Sequence, residues 1–394
     1  MKFIILSAPL PPQVSGLGDY TVKLALELKD QNHQVVLWTA ESHPISRIGV
    51  PCICVKQPWG WTAFKAFVQH GKAQKPDCLI LQYTPQSIAP KQFGLNPFFV
   101  LGLLFLKWKL KCPIFIVFHE LNYPVSFSLK GIFIGGCHVF QYILLSWIAD
   151  QNFCTTEYFV KKIKKITPRF RSVSCLPVGA NVEPKHLEQT GLKEQKAFQS
   201  RLRIPSGQKI LLHFGGMHPT HRYDYIFHTL RWVNHIYGKD FACLICIGAS
   251  FDDFEKSGFD SEANLLRGHS VHWLGFLEEH EVSLCFQISD LVLAPFLDGV
   301  STRRGSAMAA FAHGKPMMTT QAWSSQGSIY WEDLCFIVEA QDKEGFAQRA
   351  ASILIDPVAL TQKGQKAKEF YEQKLSWPQV VKKILSKIGN SLRR

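Results

Sequence analysis

Arg303 and Arg304 stand side by side among small polar residues, with Gly299 and Ser301 before them and Gly305 and Ser306 after. Two guanidiniums that can each bind bidentately suit a phosphate or pyrophosphate, and the glycines let backbone N–H groups approach it. The flanking sequence supplies a mounting. Asp290 to Ala294 reads as a buried parallel strand ending in Pro295-Phe296. Gly305 to Ala312 is a strong helix former, Gly314 falls at its C-cap and Pro316 just beyond. Met317 to Thr320 then opens another strand. Strand, basic loop and helix N-terminus together aim N–H groups and a favourable dipole at one point. A solvated loop of an α/β domain is the plainer reading. It explains the helix but not the arginine pair.

A second group follows another apolar run. His119 and Glu120 come directly after Pro113 to Phe118, and Gln82 and Tyr83 close the run that begins at Asp77. Ligands of open parallel sheets bind beyond the carboxyl ends of the strands, where these residues and the Gly16 to Asp19 loop would converge. A histidine in such a place titrates near neutrality and can donate to hydroxyls or phosphates; capping a helix is its other reading. Gly16 and Gly18 form an unfinished dinucleotide fingerprint, since Thr21 stands where a third glycine belongs. Either a flexible turn or a close approach of substrate to the backbone would use them. Cys243 and Cys246 lie within a strand-like segment, where positions three apart face opposite ways, so metal or redox use is not expected. Asp252-Asp253 reads as a solvated helix start. With no carboxylate cluster at metal spacing, the chemistry is expected to run without a metal.

The elements that must hold these groups are two successive α/β series. At 394 residues the chain is long enough for two cores. Strands are expected at Lys2–Ala8, Val35–Thr39, Asp77–Gln82, Pro113–Phe118, Asp150–Thr155 and Ser172–Leu176, with a helix from about Asp19 to Lys29. The polar segment Lys185–Arg203 reads as a connection. A second series follows: strands at Lys209–Phe214, Phe241–Gly248, Val271–Leu274 and Asp290–Ala294, with helices at Tyr223–Tyr237 and Glu279–Ile288. A glycine-rich loop, Gly215 to Arg222, follows the first of these strands.

Composition bounds the partners. The 44 basic and 31 acidic residues leave a formal +13, which favours anionic partners. Basic residues read as spread over both halves, which argues against nucleic acid. Eleven scattered cysteines suggest reduced thiols in the cytoplasm. Phe3 to Leu6 is too short for a secretory segment. Gly131 to Ala149, with His138 and Gln141, reads as a buried helix. Phe98 to Leu106, ending in Lys107, Trp108, Lys109 and Lys111, suits resting on an anionic membrane surface as a peripheral protein.

With these residues in view, the chain resembles the family 4 retaining glycosyltransferases of the GT-B fold. His272 to Leu277, Ile288 to Pro295 and Ala312 to Met317 are similar to the family's sugar-nucleotide half, and Gly299 to Ser306 resembles a variant of its donor loop. Gly16 to Gly18, His119-Glu120, Pro177 to Gly179 and Ser376-Trp377 sit where the family has comparable features. The resemblance implies an α/β architecture of two Rossmann-like domains facing across a cleft. Residues 1–183 would hold the acceptor, with the last helix, 376–394, packing back on them. Residues 204–375 would hold the nucleotide sugar. It implies sugar transfer with retention to a glycan, lipid or other acceptor, with the nucleoside-diphosphate sugar as co-substrate and no cofactor. His119, Asp298 and Arg304 would serve catalysis. Gly16, Gly18, Gly215, Arg222, Gly299, Ser301, Arg303, Gly305 and Ser306 would bind the donor, and Gln82, Tyr83 and Glu120 the acceptor. The family's glutamate pair is absent: Ser301 and Ala309 stand in those places. That departure leaves two alternatives, a nucleotide-sugar epimerase of related fold and a degenerate relative that binds without catalysis. An NAD-dependent oxidoreductase is disfavoured by the unfinished glycine fingerprint.

Overall fold

The computed structural model describes residues 1–11, 13, 15–40, 49–89, 94–121, 129–168, 171–184, 191–256, 266 and 268–391. The chain divides into two compact units. Unit 1 is Met1–Val178 with Trp377–Arg394, and unit 2 is Gly179–Ser376.

Unit 1 is built on the strands β1 (Lys2–Leu6), β2 (Gln34–Thr39), β3 (Cys52–Cys54), β4 (Cys78–Tyr83), β5 (Ile114–Phe118), β6 (Gln151–Cys154) and β7 (Ser172–Cys175). All are parallel, in the order β3-β2-β1-β4-β5-β6-β7. Helices cover both faces, which is why the central strands are apolar along their whole length. Phe64, Phe99 and Leu145 pack on one face from the helices Trp61–Gln74, Pro97–Leu110 and Leu129–Ile148. Tyr20 and Leu24 of the helix Gly16–Asp30 cover the other, together with Trp377, Val380 and Ile384 of the helix Trp377–Ser391.

Unit 2 contains β8 (Lys209–Phe214), β9 (Ala242–Ile247), β10 (Val271–Gly275), β11 (Leu291–Ala294), β12 (Met317–Gln321) and β13 (Phe336–Glu339). They are parallel in the order β10-β9-β8-β11-β12-β13. Both sheets reverse their winding once, between β1 and β4 in unit 1 and between β8 and β11 in unit 2. Such switch points open a crevice at the carboxyl ends of the flanking strands. Cys243 and Cys246 on β9 are buried in two different cores, as opposite faces of one strand require.

The structure changes several expectations. The first helix begins at Gly16, three residues earlier than expected, because Ser15 caps it by accepting from the Gly18 N–H. Gly16 and Gly18 are therefore helical residues, not loop residues. Part of the expected connection is the helix Leu192–Arg201, whose Phe198 is buried in the core of unit 2; residues 185–190 lie outside the described residues. The helix Leu129–Ile148 buries His138, Gln141 and Leu145 but leaves Ile132, Phe133 and Phe140 exposed, so only one of its faces is a core face. Basic residues do occur in both halves, but acidic ones are concentrated in the second. Unit 1 has 24 basic and 8 acidic residues, a formal +16, whereas unit 2 has 20 and 23, a formal −3.

Candidate functional site

At the switch point of unit 2, the loop after β8 and the loop after β11 are tied into one surface. His221 and Phe296 form an antiparallel bridge, the Leu297 N–H donates to the Thr220 carbonyl at 2.8 Å, and the Arg222 N–H to the Pro295 carbonyl at 3.1 Å. The β11 loop is also pinned to the segment after β12. The Ser324 N–H donates to the Asp298 carbonyl and its hydroxyl to the Gly299 carbonyl. At Gly299, φ is +85° and an added Cβ would lie 2.4 Å from the Ala322 nitrogen and from Ser325 Oγ. Only glycine fits this turn.

That scaffold presents the arginine pair. Asp298 is buried at 4% exposure, and its two carboxylate oxygens accept from Arg303 and Arg304, one each. Arg304 also lies over the Phe296 ring, 4.4 Å from its centroid. A carboxylate shared by two guanidiniums orients them both. Arg304 precedes the helix Gly305–Ala312 with no side-chain cap at that end, so the first N–H groups of the helix, at Gly305 and Ser306, belong to the same surface. Ser301 Oγ is buried with no hydrogen-bond partner among the described residues, and so is Asn181 Oδ1. Asn181 lies next to Gly305, 3.6 Å from where its Cβ would be. Ala309, in the place of a family glutamate, is fully buried in the core.

Two members of the expected donor set are differently employed. Arg222 binds Asp224 bidentately, at 2.9 Å for each bond, and lies over Tyr225. Gly215 leaves room for His221, whose Cε1 would be 2.8 Å from a Cβ there. His218, absent from the expected set, faces the arginines. Burial lowers its pKa, Arg304 and Arg303 lower it further, and Asp298 works against them. Its Nδ1 is 2.8 Å from Thr220 Oγ1. The signal for His218 and Asn181 lay in polar residues within glycine-rich loops at strand ends, which sequence spacing alone does not aim.

In unit 1, His119 follows β5 and its Nε2 is 2.7 Å from Oε1 of the fully buried Gln82. Tyr20 packs edge-on against the imidazole with centroids 4.7 Å apart, and Trp377 packs on Tyr20. Burial pushes the His119 pKa down to about 3. The expected titration near neutrality is thus replaced by a ring that stays neutral. Tyr83 points to the other side of β4, is fully buried, and its hydroxyl accepts from Gln141. It is a core residue, not one presented to an acceptor. Glu120 is half-buried at the end of β5. Gly18 is buried and a Cβ there would meet the Pro9 carbonyl at 3.1 Å, while Gly16 is exposed with nothing near its Cβ position. Asn122 to Pro124 lie outside the described residues.

Buried neutral histidines make stability pH-dependent. His213, 2% exposed on β8, is pushed by burial to about 4. Its pKa is lowered on folding, so the folded chain binds fewer protons than the unfolded chain between about pH 4 and 6.5. The stability is complete above 6.5 and is lost as pH falls toward 4. The variant His213→Asn should flatten the slope of unfolding free energy in this window by up to about 1.4 kcal/mol per pH unit. Urea unfolding at several pH values across it measures this, and an unchanged slope would show that His213 does not stay neutral.

Residues 208–356, which hold the arginine pair, match the model of the family described as Glycosyl transferases group 1. Unit 2 carries a glycosyltransferase group 1 domain. No curated protein matches the chain in sequence. Solved structures resemble it over its length. HepE of Anabaena, in complex with UDP and glucose, has a TM-score of 0.72 at 14% identity, covering 99% of this chain and 100% of that one. Sucrose-phosphate synthase from Thermosynechococcus elongatus has 0.71 at 15%, covering 98% of each. A glycosyltransferase from Rickettsia africae has 0.74 at 14%, covering 100% and 99%. The two parallel-sheet units of this glycosyltransferase chain thus share the GT-B architecture.

Proposed function

We propose that the chain transfers a sugar from a nucleoside-diphosphate sugar to a glycan, lipid or other hydroxyl-bearing acceptor, as a family 4 enzyme acting with retention and without a metal. The observation that carries this is the arginine pair fixed by Asp298 at the uncapped end of the helix Gly305–Ala312. A departing nucleoside diphosphate develops negative charge. Fixed cations and backbone N–H groups stabilise that charge without reorganising during the reaction. A guanidinium has five donors, so an ion pair with Asp298 does not exhaust it. Ser301 Oγ and Asn181 Oδ1 are buried polar atoms suited to donor hydroxyls, supporting a ligand beside the arginines. His119 supplies a neutral hydrogen-bonding group to a sugar hydroxyl, positioned by Gln82. Arg222 and Asp298 serve as positioning residues. HepE, bound to UDP and to UDP-glucose, supports a uridine nucleotide as donor. Retention rests on the resemblance of the donor loop Gly299–Ser306 to the family 4 variant.

The replacement of the glutamate pair by Ser301 and Ala309 favours one second reading, a relative that binds nucleotide sugar without transferring it. A thermal-shift screen against UDP, GDP, ADP and their sugars tests the first reading. One nucleotide should raise Tm selectively through linkage, and its sugar should release free nucleoside diphosphate when acceptor is added. A shift without any release would mark the binding relative. No shift with any of them would overturn both.

A further inference from the structure

Two helices of unit 1 carry an exposed apolar surface. On the helix Pro97–Leu110, Phe98 and Leu101 are 59% exposed and Trp108 64%; on the helix Leu129–Ile148, Ile132 is 64% and Phe133 72% exposed. These helices pack side by side, and between them opens an apolar groove of about 770 Å³ lined by Val100, Leu101, Phe133, Phe140 and Leu144. A patch of this kind marks an interaction site, since single exposed apolar residues are ordinary but a lined groove is not. Neither helix contains an acidic residue.

The surroundings are basic. Residues 61–171 contain 14 Lys and Arg against four Asp and Glu. Lys109 lies over the Trp108 ring at 3.6 Å, and Lys65 and Lys111 are exposed. The neighbouring helix Glu157–Ile166 shows Lys161, Lys162, Lys164 and Lys165 to solvent. It is joined to the apolar surface where Trp147 Nε1 donates to the Ile166 carbonyl at 2.8 Å.

We infer that this face of unit 1 docks on the surface of an anionic bilayer. Aliphatic and aromatic side chains would enter the headgroup boundary, with Trp108 and Trp147 at the depth tryptophans favour and the lysines on lipid phosphates. The groove gives a hydrocarbon chain a place between the two helices. A second copy of the chain fits this face poorly, because it would bring together two units of +16. Nucleic acid would use the lysines but not Leu101, Ile132 or the groove. The inference does not rest on the transfer reading.

The full chain should co-sediment with vesicles of phosphatidylcholine and phosphatidylglycerol in equal parts, and at least tenfold less with phosphatidylcholine alone. Raising salt from on the order of 0.1 M to 1 M should weaken the binding by screening. The triple variant Phe98→Ser, Leu101→Ser, Trp108→Ser should lose at least tenfold in binding with an unchanged circular dichroism spectrum and Tm, because all three side chains are exposed. A reversal of lysine charge, Lys161→Glu with Lys164→Glu, should reduce binding independently. Absence of sedimentation with the mixed vesicles, equal binding to both vesicle types, or full binding by the triple variant would each overturn the inference. So would binding to duplex RNA without binding to vesicles, or a dimer in solution that only the triple variant dissolves.

Discussion

Replacing Arg304 with alanine should lower kcat/KM for nucleotide-sugar turnover about 100-fold, the usual cost of removing one fixed donor from a developing anion. The geometry makes the effect large. Arg304 is held by Asp298 and stacked on Phe296, so little ordering remains to be done when a diphosphate arrives. It also adjoins the first N–H groups of the helix Gly305–Ala312, and removing it halves the cationic pair beside them. The loss should appear in kcat more than in KM if the guanidinium acts mainly on charge that develops as the nucleotide departs. Arg304→Lys should restore less than half of the lost free energy, because an ammonium cannot hold both Asp298 and a phosphate in planar, bidentate fashion. Steady-state kinetics on the three proteins measures this. Turnover unchanged in Arg304→Ala would remove the arginine pair from the mechanism.

Asp298→Ala should be the more damaging change to stability. It takes away the carboxylate that two guanidiniums, 17% and 10% exposed, share. Breaking a buried pair by deleting one partner costs on the order of 3–5 kcal/mol, mostly the penalty of the charge left behind. Unit 2 should then melt roughly 6–20 °C lower, by the scaling for a domain of its size. Calorimetry would show this as a shift of one transition. Adding Arg303→Met to Asp298→Ala should recover part of the loss, since it removes one of the two charges that Asp298 compensated. A direct role for Asp298 in sugar binding would instead leave stability intact and move KM alone.

Much of the fold was legible because central parallel strands are written in apolar runs. Leu79 to Leu81, Ile114 to Phe118 and Cys243 to Ile247 are buried on both faces and stand out from their surroundings. The strands that escaped notice, β3 and β13, are the outer strands of their sheets. They span three and four residues and are partly exposed, so they lack both length and a clean pattern. The helix Gly305–Ala312 was read to the residue from alanines and the Gly314 stop, and the arginine pair from its glycine setting. What Asp298 does was not legible. Its place beside the arginines in sequence does not say that one carboxylate oxygen accepts from each of them. His119 was legible as a residue at a strand end. Its neutrality was not, because it comes from Tyr20 and Gln82, which lie far off in sequence. The charge asymmetry between the units was missed because it is a property of the division at residues 178 and 377, not of any stretch.

That division also sets a timetable for synthesis. Unit 2 is one continuous segment and can close its cores while the chain is still being made. Unit 1 cannot. Its sheet is complete by β7, but Trp377, Val380, Val381 and Ile384, which cover one face of it, follow the whole of unit 2. At 5–20 residues per second that face stays only partly covered for roughly 10–40 s. Over that interval the nascent chain offers Tyr20 and Leu24 without the helix that seals them, a stretch of exposure long enough for chaperones to act before the last turn of the protein settles.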